Sequence, residues 1–515
     1  MYTRFLTASI YGLNAEETWV EVDCDNGLPG VSIVGLANQS VKEAKDRIHS
    51  AVTNSGFTFP VRRITVNLTP ANKQKNGSHY DLPIALGVLL SDKLIKIKNE
   101  ETYINGTTAF LGELTLDGRV NQIDGALPMM IGLQKCGVKE IFLPKQNIKE
   151  AHLIRNMTIY PVATLKEVVD HICGVNFIEA YKGQEDNLNA EDGITLDFSD
   201  IKGQETVKRA AQVAAAGRHG ILMIGPPGVG KSMIGKRIPG IMPPLHYDEQ
   251  LDVTQIYSVA GLLSDRNPMI TERPFRAPHH SISPTALIGG GTIPKPGEIS
   301  LAHKGVLFLD ELPEFSVKAL DMLRQPLEDG FVSINRVNGN TEYPADFMLV
   351  AAMNPCKCGY YGDPIRNCTC TDTDRKKYIG RVSGPLLDRI DIHISLKRIV
   401  YDDMVNSNRS GMTTKQLRKG VINAIEMQKK RSGQSDTILW NSNLDNPLIE
   451  KYCKLDTECS SIMENAYKKW NLSARAYFRI LKVARTIADM DQSEEIREID
   501  ILEALSYRMP DVFFS

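Results

Sequence analysis

Ile221-Leu222-Met223-Ile224-Gly225-Pro226-Pro227-Gly228-Val229-Gly230-Lys231-Ser232 sets a short apolar run against a glycine-punctuated turn that ends in a lysine and a hydroxyl. The apolar run predicts a buried strand, and the residues from Met233 onward continue as a helix. From Gly225 to Ser232 the segment is a full GxxxxGKS/T match. Glycines at those spacings let backbone N–H groups turn inward around phosphates, and a helix N-terminus beyond them adds a favourable dipole. Lys231 would then reach the β- and γ-phosphates of ATP, and the Ser232 hydroxyl would ligate Mg²⁺. The alternative is a chance glycine turn, which the flanking strand and helix argue against.

Downstream, Val306-Leu307-Phe308-Leu309-Asp310-Glu311 predicts a second buried strand ending in two carboxylates. Such acids either cap the strand or do chemistry there: Asp310 suits orienting Mg²⁺, and Glu311 suits the base that polarises an attacking water. A third apolar stretch, Phe347 to Met353, ends at Asn354, which can position the γ-phosphate or serve as a turn residue before Pro355. Strands and helices alternating from about 196 to 400 predict a parallel sheet covered on both faces.

Working outward, Trp19-Val20-Glu21-Val22 and Arg63 to Leu68 alternate as strands. Between them Val41, Ala44, Ile48 and Val52 recur at helical spacing, closed by Gly56. These mark a small α/β domain ending near residue 172. The polar run Tyr181 to Gly193 reads as a linker. Beyond 400 the pattern is helical: Leu417, Val421 and Ile425 share one face, and a later helix starts at an N-cap Ser473 and buries Ala476, Ile480, Ala484 and Ile487. The 515 residues favour two to four domains. A formal charge of −2 gives no global sign of a polyanion partner, so any such surface must be local. The N-terminus shows neither a signal peptide nor a membrane span, which predicts a cytoplasmic address.

Four of the nine cysteines form two CxC pairs, Cys356/Cys358 and Cys368/Cys370, around a polar loop. Four thiolates so close can hold a structural Zn²⁺. A disulfide pair, disfavoured in cytosol, and four free thiols are the other readings. Nearby, the chain between Lys231 and Asp310 is longer than a compact core needs. Its Arg273, Arg276, His279, His280 and Gly289-Gly290-Gly291 suit a loop reaching into a pore toward DNA, or a surface loop whose arginines pair with local acids. Phe331 to Val337 and Asn340 to Tyr343, joined at Asn338-Gly339, predict a hairpin whose Arg336 is either a phosphate contact or merely solvated.

The motif order, together with PFRAPHHSISPTALIGGG (Pro274 to Gly291), PGEISLAHKGVLFLDELPEF (Pro296 to Phe315), GPLLDRID (Gly384 to Asp391) and LSARAYFRILKVARTIAD (Leu472 to Asp489), closely resembles the ComM/YifB family. These are magnesium-chelatase-like AAA+ proteins, and the resemblance covers essentially the whole chain. It implies an α/β protein with an N-terminal Lon-like α/β domain of the ribosomal-S5 type (1–175), a linker (176–195), a central AAA+ P-loop domain with a helix-2 insert and pre-sensor hairpin (196–400), and a C-terminal α-helical lid (401–515). By the same likeness Asn354 is the sensor-1 residue, Arg389 the arginine finger and Arg475 the sensor-2 arginine. From the residues alone, Arg389 equally pairs with Asp388 or Asp391, and Arg475 lies on a solvated helix face.

Function follows as an expectation from that resemblance. The family likeness implies an ATP- and Mg²⁺-using motor that forms a homo-oligomeric, hexameric ring on single-stranded or branched DNA. Its task would be branch migration in recombination or natural transformation, with no membrane involved. A metal-insertion ATPase of the magnesium-chelatase type is the alternative. A Lon-like protease is a third, but His79 stands where the pattern wants serine, and Ile123 to Met130 carries no lysine. The N-terminal domain is therefore expected to be a scaffold or a DNA-binding module.

Overall fold

A computed structural model describes residues 2–98, 100–182, 196–263, 269–291, 294–336, 339–398, 411–433 and 438–508. Most of the expected linker, from 183 to 195, lies outside these residues. The N-terminal part is built on a seven-stranded sheet ordered Gly30–Val34, Arg63–Thr69, Asn14–Asp25, Tyr2–Tyr11, Thr108–Phe110, Glu140–Pro144, Thr158–Val162. Its antiparallel centre pairs Tyr2–Tyr11 with Asn14–Asp25, and the latter with Arg63–Thr69; the outer pairings are parallel. Alternation explains this, since Val20, Val22, Ile64, Val66 and Leu68 are all buried while their neighbours are more exposed. The expected helix is present with a break: Gln39–Lys42 and Ala44–Asn54 bury Val41, Ala44, Ile48 and Val52, and Gly56 follows at φ 89°. A left-handed residue there suits glycine, which has no Cβ to clash.

The central sheet has five parallel strands, ordered Phe275–Arg276, Val306–Leu309, Met348–Met353, Ile221–Ile224, Ile392–Ser395. Every residue of Ile221–Ile224 is buried, because helices cover both faces. Ile221 and Met223 point into one core with Ala210, Ala214 and Ile238, whereas Leu222 and Ile224 join a second with Leu307, Leu312 and Leu320. Burying each such side chain contributes about 1.5–3 kcal/mol, so a polar substitution at Leu222 or Met223 would be severe.

The C-terminal helices Thr414–Ser432, Asn446–Tyr452, Thr457–Trp470, Ala474–Met490 and Glu498–Ser506 share the first of those cores with the sheet. Ser473 caps its helix by accepting from the Ala476 N–H, and the apolar face runs through Ile480, Ala484 and Ile487 as the spacing predicts. A buried polar network fastens this helix to the sheet edge. His219 lies 2.9 Å from Asp391 through Nδ1 and 2.7 Å from Thr486 Oγ1 through Nε2, and Arg479 donates to the other Asp391 oxygen. Burial works against the Asp391 carboxylate, but Arg479 and His219 outweigh it and hold its pKa well below the usual range. Removing Arg479 would leave the buried Asp391 carboxylate without its arginine, at a cost of about 3–5 kcal/mol.

Between Lys231 and Asp310 the extra chain forms the helix Tyr247–Ala260, the short helix Pro284–Ile288 and a two-residue ladder of Gly289–Gly290 with Lys295–Pro296. Tyr247–Ala260 docks on the N-terminal part: Ser258 Oγ donates to Glu150 over 2.6 Å, and the Tyr247 hydroxyl to the Leu153 carbonyl over 2.9 Å. The expected hairpin is present as Phe331–Arg336 against Gly339–Pro344. Arg336 pairs with Gly339, so the first strand ends one residue earlier than the Asn-Gly reading places it. Residues 337–338 and the Arg336 side chain lie outside the described residues.

Candidate nucleotide site

The site grows from three strand ends on one edge of the sheet. Ile221–Ile224 leads through Gly228 (φ 80°) and Gly230 (φ 93°) into the helix Lys231–Ile241. A Cβ at either glycine would meet nothing within 4 Å, so what these positions require of glycine is the left-handed turn itself. Lys231 Nζ donates to the Gly225 carbonyl (2.5 Å), the Pro226 carbonyl (3.0 Å) and Asn354 Oδ1 (2.9 Å). Burial pulls its pKa down to about 8, with Asp310 and Glu311 pulling back. Ser232 Oγ donates to Asp310 Oδ2 over 2.6 Å, placing the two expected Mg²⁺ ligands in contact.

These residues fit a magnesium-bound nucleotide. The lysine is held by neutral carbonyl and amide oxygens that phosphate oxygens can replace. A hydroxyl and a carboxylate meet at the mouth of an eleven-residue helix whose N-terminus has no side-chain cap. Glu311 follows in a left-handed backbone conformation, φ 53°, with its carboxylate about half exposed. For a non-glycine residue that conformation costs of order 1–3 kcal/mol, and it aims the side chain off the strand end.

The remaining candidates fall into separate places. His280 Nδ1 lies 3.2 Å from Glu311 Oε2 and its ring rests on His279 at 4.0 Å between centroids, so it stands at the nucleotide edge. His279 is exposed and within 2.8 Å of Ser281. Arg276 is clamped by Glu298 through two bonds of 2.6 and 2.7 Å, and Arg273 is buried against the Pro243 and Lys304 carbonyls and Glu249. Both arginines thus follow the local-acid reading of this insert.

Arg389 pairs with neither Asp388 nor Asp391. It donates to Glu328 and to the Pro385 carbonyl, because Asp391 is taken by Arg479 and His219 while Asp388 faces Arg508. The Glu328 carboxyl is held below its ordinary range first by its hydrogen bond from Arg389, with smaller long-range contributions from Arg475 and Arg479. The partners of Arg389, Glu328 and the Pro385 carbonyl, are not among those of its own chain's Lys231, which are Gly225, Pro226 and Asn354. The sequence carries no sign of Glu328, nor of the contact between His280 and Glu311.

Cys356, Cys358, Cys368 and Cys370 converge, with all four sulfurs within 4.8 Å of one another. Measured separations are 3.3 Å (356–358), 3.6 Å (356–368) and 3.5 Å (358–368). A Zn–S bond of about 2.3 Å gives tetrahedron edges of roughly 3.8 Å, whereas a disulfide needs about 2.05 Å.

Sheet order, phosphate loop and carboxylate-tipped strand define a magnesium-chelatase-like AAA+ ATPase. Residues 197–404 match the family described as magnesium chelatase, subunit ChlI; residues 20–147 match subunit ChlI of Mg-chelatase, and 411–508 its C-terminal part. The competence protein ComM of Haemophilus influenzae is 42% identical over 502 residues, covering 96% of this chain and 95% of that one. Protein YifB of Escherichia coli is 40% identical over 505 residues, 98% and 96% of the two chains. The chain belongs to the ComM/YifB family of magnesium-chelatase-like AAA+ ATPases, which use ATP and Mg²⁺. A 172-residue stretch is also 22% identical to the Lon protease of Mycolicibacterium smegmatis, in keeping with the Lon-like N-terminal part. No helix among the described residues is long and apolar enough to cross a membrane.

Proposed function

We propose that this ATPase assembles as a ring, hexameric in number, that moves on branched or single-stranded DNA in the cytoplasm and drives branch migration. The observation that carries the ring is the Arg389–Glu328 pair. Arg389 hydrogen-bonds neither its own Lys231 nor that lysine's partners, which supports reading it as a finger that serves a neighbouring chain, with Arg475 as the sensor-2 arginine. Within one pocket, Gly225 to Ser232 hold the phosphates, Ser232 and Asp310 hold Mg²⁺, and Asn354 aligns Lys231. Glu311 accepts the proton of the attacking water. Bound Mg²⁺ supplies charge neutralisation at the terminal phosphates. His280 belongs to this pocket through Glu311, leaving the exposed His279, together with Arg336, for DNA.

Support for DNA over a tetrapyrrole comes from the relatives. A competence protein matches along nearly its whole length, whereas a magnesium-chelatase 67 kDa subunit matches over only 31% of this chain. The divisions at 1–175, 176–195, 196–400 and 401–515 follow the same reading, with the Lon-like part a non-proteolytic scaffold. The four cysteines hold one structural Zn²⁺, which metal analysis of the purified chain would find at about one per chain. The central test is ATP hydrolysis with single-stranded, duplex and four-way-junction DNA over a salt series. Junction or single-stranded DNA should stimulate turnover, and the stimulation should fall steeply with salt as phosphate contacts are lost. If no DNA form binds or stimulates, the motor is not a DNA motor.

A further inference from the structure

The cysteine loop is part of the nucleotide pocket's wall. One residue, Pro355, separates Asn354 from the first thiol, Cys356, which is fully buried. Gly359 then turns back at φ 86°, and a Cβ there would fall 2.8 Å from Pro227 Cδ and 3.9 Å from Asn354 Cγ. The first turn of the loop therefore lies on the phosphate loop itself. The loop is turned by its own backbone: the Gly359 N–H donates to the Cys356 carbonyl over 3.0 Å, and the Cys370 N–H to Cys368 Sγ over 3.4 Å.

What orders this loop is otherwise hard to find. From 360 to 377 no residue is buried, so the segment has no core of its own. Its visible restraints are few: the covered Asp363 carboxylate pairs with Arg398 over 2.8 Å and accepts from the Ile365 and Arg366 N–H groups, and Arg366 and Arg375 lie over Tyr360 and Tyr361 at the surface. Such cation–ring contacts at the surface contribute little, and one covered carboxylate ties down only the middle of the segment, whereas a metal held by four thiolates would tie both of its ends together. Past Cys370, Thr371 caps the helix Asp372–Ile379, whose buried Tyr378 hydrogen-bonds the Asn354 backbone. Both ends of the clamped segment therefore return to Asn354.

We propose that the four-cysteine zinc site is a positioning element of the ATP pocket. By clamping residues 356–370 it fixes Asn354 against Lys231 and seats Gly359 on Pro227, so loss of the metal releases the phosphate loop. This rests on the reading that the four thiols bind zinc. Metal loss thereby weakens nucleotide binding without changing a residue of the phosphate loop.

The test uses the full-length chain, with zinc content, fluorescent ATP-analogue affinity and turnover measured on the same samples at fixed Mg²⁺. Stripping zinc with a zinc-selective chelator should weaken nucleotide affinity at least about tenfold and turnover by about a hundredfold, as expected for displaced positioning groups. Re-adding zinc alone should restore both. Cys368→Ser with Cys370→Ser should reproduce the loss while far-ultraviolet circular dichroism stays native. Gly359→Ala, which pushes on Pro227 while all four thiols remain, should lower affinity with zinc still bound. Zinc removed with affinity and turnover intact, or Gly359→Ala binding nucleotide normally, overturns the positioning role while leaving the metal site standing. A folded wild-type chain without zinc overturns the metal reading, and this inference with it.

Discussion

Lys231 and Lys75 are both buried lysines near a serine in a glycine-bearing segment, yet only one belongs to a reactive site. At Lys231 the polar groups converge: Nζ, the Ser232 hydroxyl, the Asp310 and Glu311 carboxylates and the N-terminus of a helix surround one place. At Lys75 they diverge. Its Nζ is spent on the Pro70 and Lys73 carbonyls, the Ser78 hydroxyl donates to Glu113, and His79 is buried against the Ala8 carbonyl. Residue types alone do not make a catalytic group. Their free valences must face a common space, and in the N-terminal part each is already satisfied by its own partner.

The comparison is sharpened most by removing Arg389. Arg389→Ala should bind ATP but lose roughly 10³-fold or more in turnover, the scale of arginine fingers. Mixed with Lys231→Ala chains, whose pockets are dead but whose Arg389 is intact, it should regain partial activity in shared rings. Recovery of nothing despite demonstrated subunit exchange, or full activity of Arg389→Ala alone, would reduce Arg389 to the ion pair with Glu328. Glu311→Gln comes next: a loss of about 10²–10⁴-fold with ATP binding retained, as for a general base. Wild-type turnover in that variant would place the base elsewhere.

How much of this was legible depends on how local each contact is. The strand entering the phosphate loop, the Ser473 cap and the 331–344 hairpin rest on residues a few positions apart, and their spacing shows in the sequence. The hairpin register slipped by one, because the Asn-Gly signal names a turn without fixing which residues pair across it. Contacts across long separations were invisible: Arg389 to Glu328, His280 to Glu311, and Gly359 on Pro227. Arg389 shows why, since its sequence neighbours Asp388 and Asp391 offered the obvious partners. Arg508, Arg479 and His219, brought in by the tertiary fold, had claimed them.

Acid separates the two regions more gently. Burial lowers His79 to about 4, His393 to about 4 and His303 to about 3, and raises Asp81 to about 6. A histidine whose folded pKa is depressed gives stability that is present above its unfolded pKa, near 6.5, and lost as pH falls toward the folded value. Asp81 has the opposite sign, because the native state takes up its proton near 6 while the unfolded chain waits until about 3.8. In the N-terminal part the two therefore offset between pH 6 and 4. The ATPase part holds two such histidines, His303 and His393, against one acid, Asp252, whose pKa burial raises, and each histidine accounts for about 2 kcal/mol over that range as an order of magnitude. Urea unfolding at pH 7 and pH 5, followed region by region through hydrogen-exchange protection, should show the ATPase part weakening first. Equal loss in both, or earlier loss in the N-terminal sheet, would contradict the assignment.

The smallest effect is expected at Ser78, where the comparison began. A serine nucleophile needs a base that takes its proton and a hydroxyl free to attack. Ser78 instead donates to Glu113, which also acts on the neighbouring Asp81–Arg47 pair, and Lys75 faces carbonyls that it cannot leave without exposing a buried ammonium. Ser78→Ala removes one partly buried hydrogen bond, a change of about 1 kcal/mol in stability, and should leave ATP turnover and its response to DNA unchanged. A serine-reactive phosphonate should not label the wild-type chain at Ser78. Labelling at Ser78 that the alanine variant abolishes would show that the hydroxyl leaves Glu113 and finds a base. The N-terminal part would then hold a second reactive site, and the contrast between the two lysines would fail.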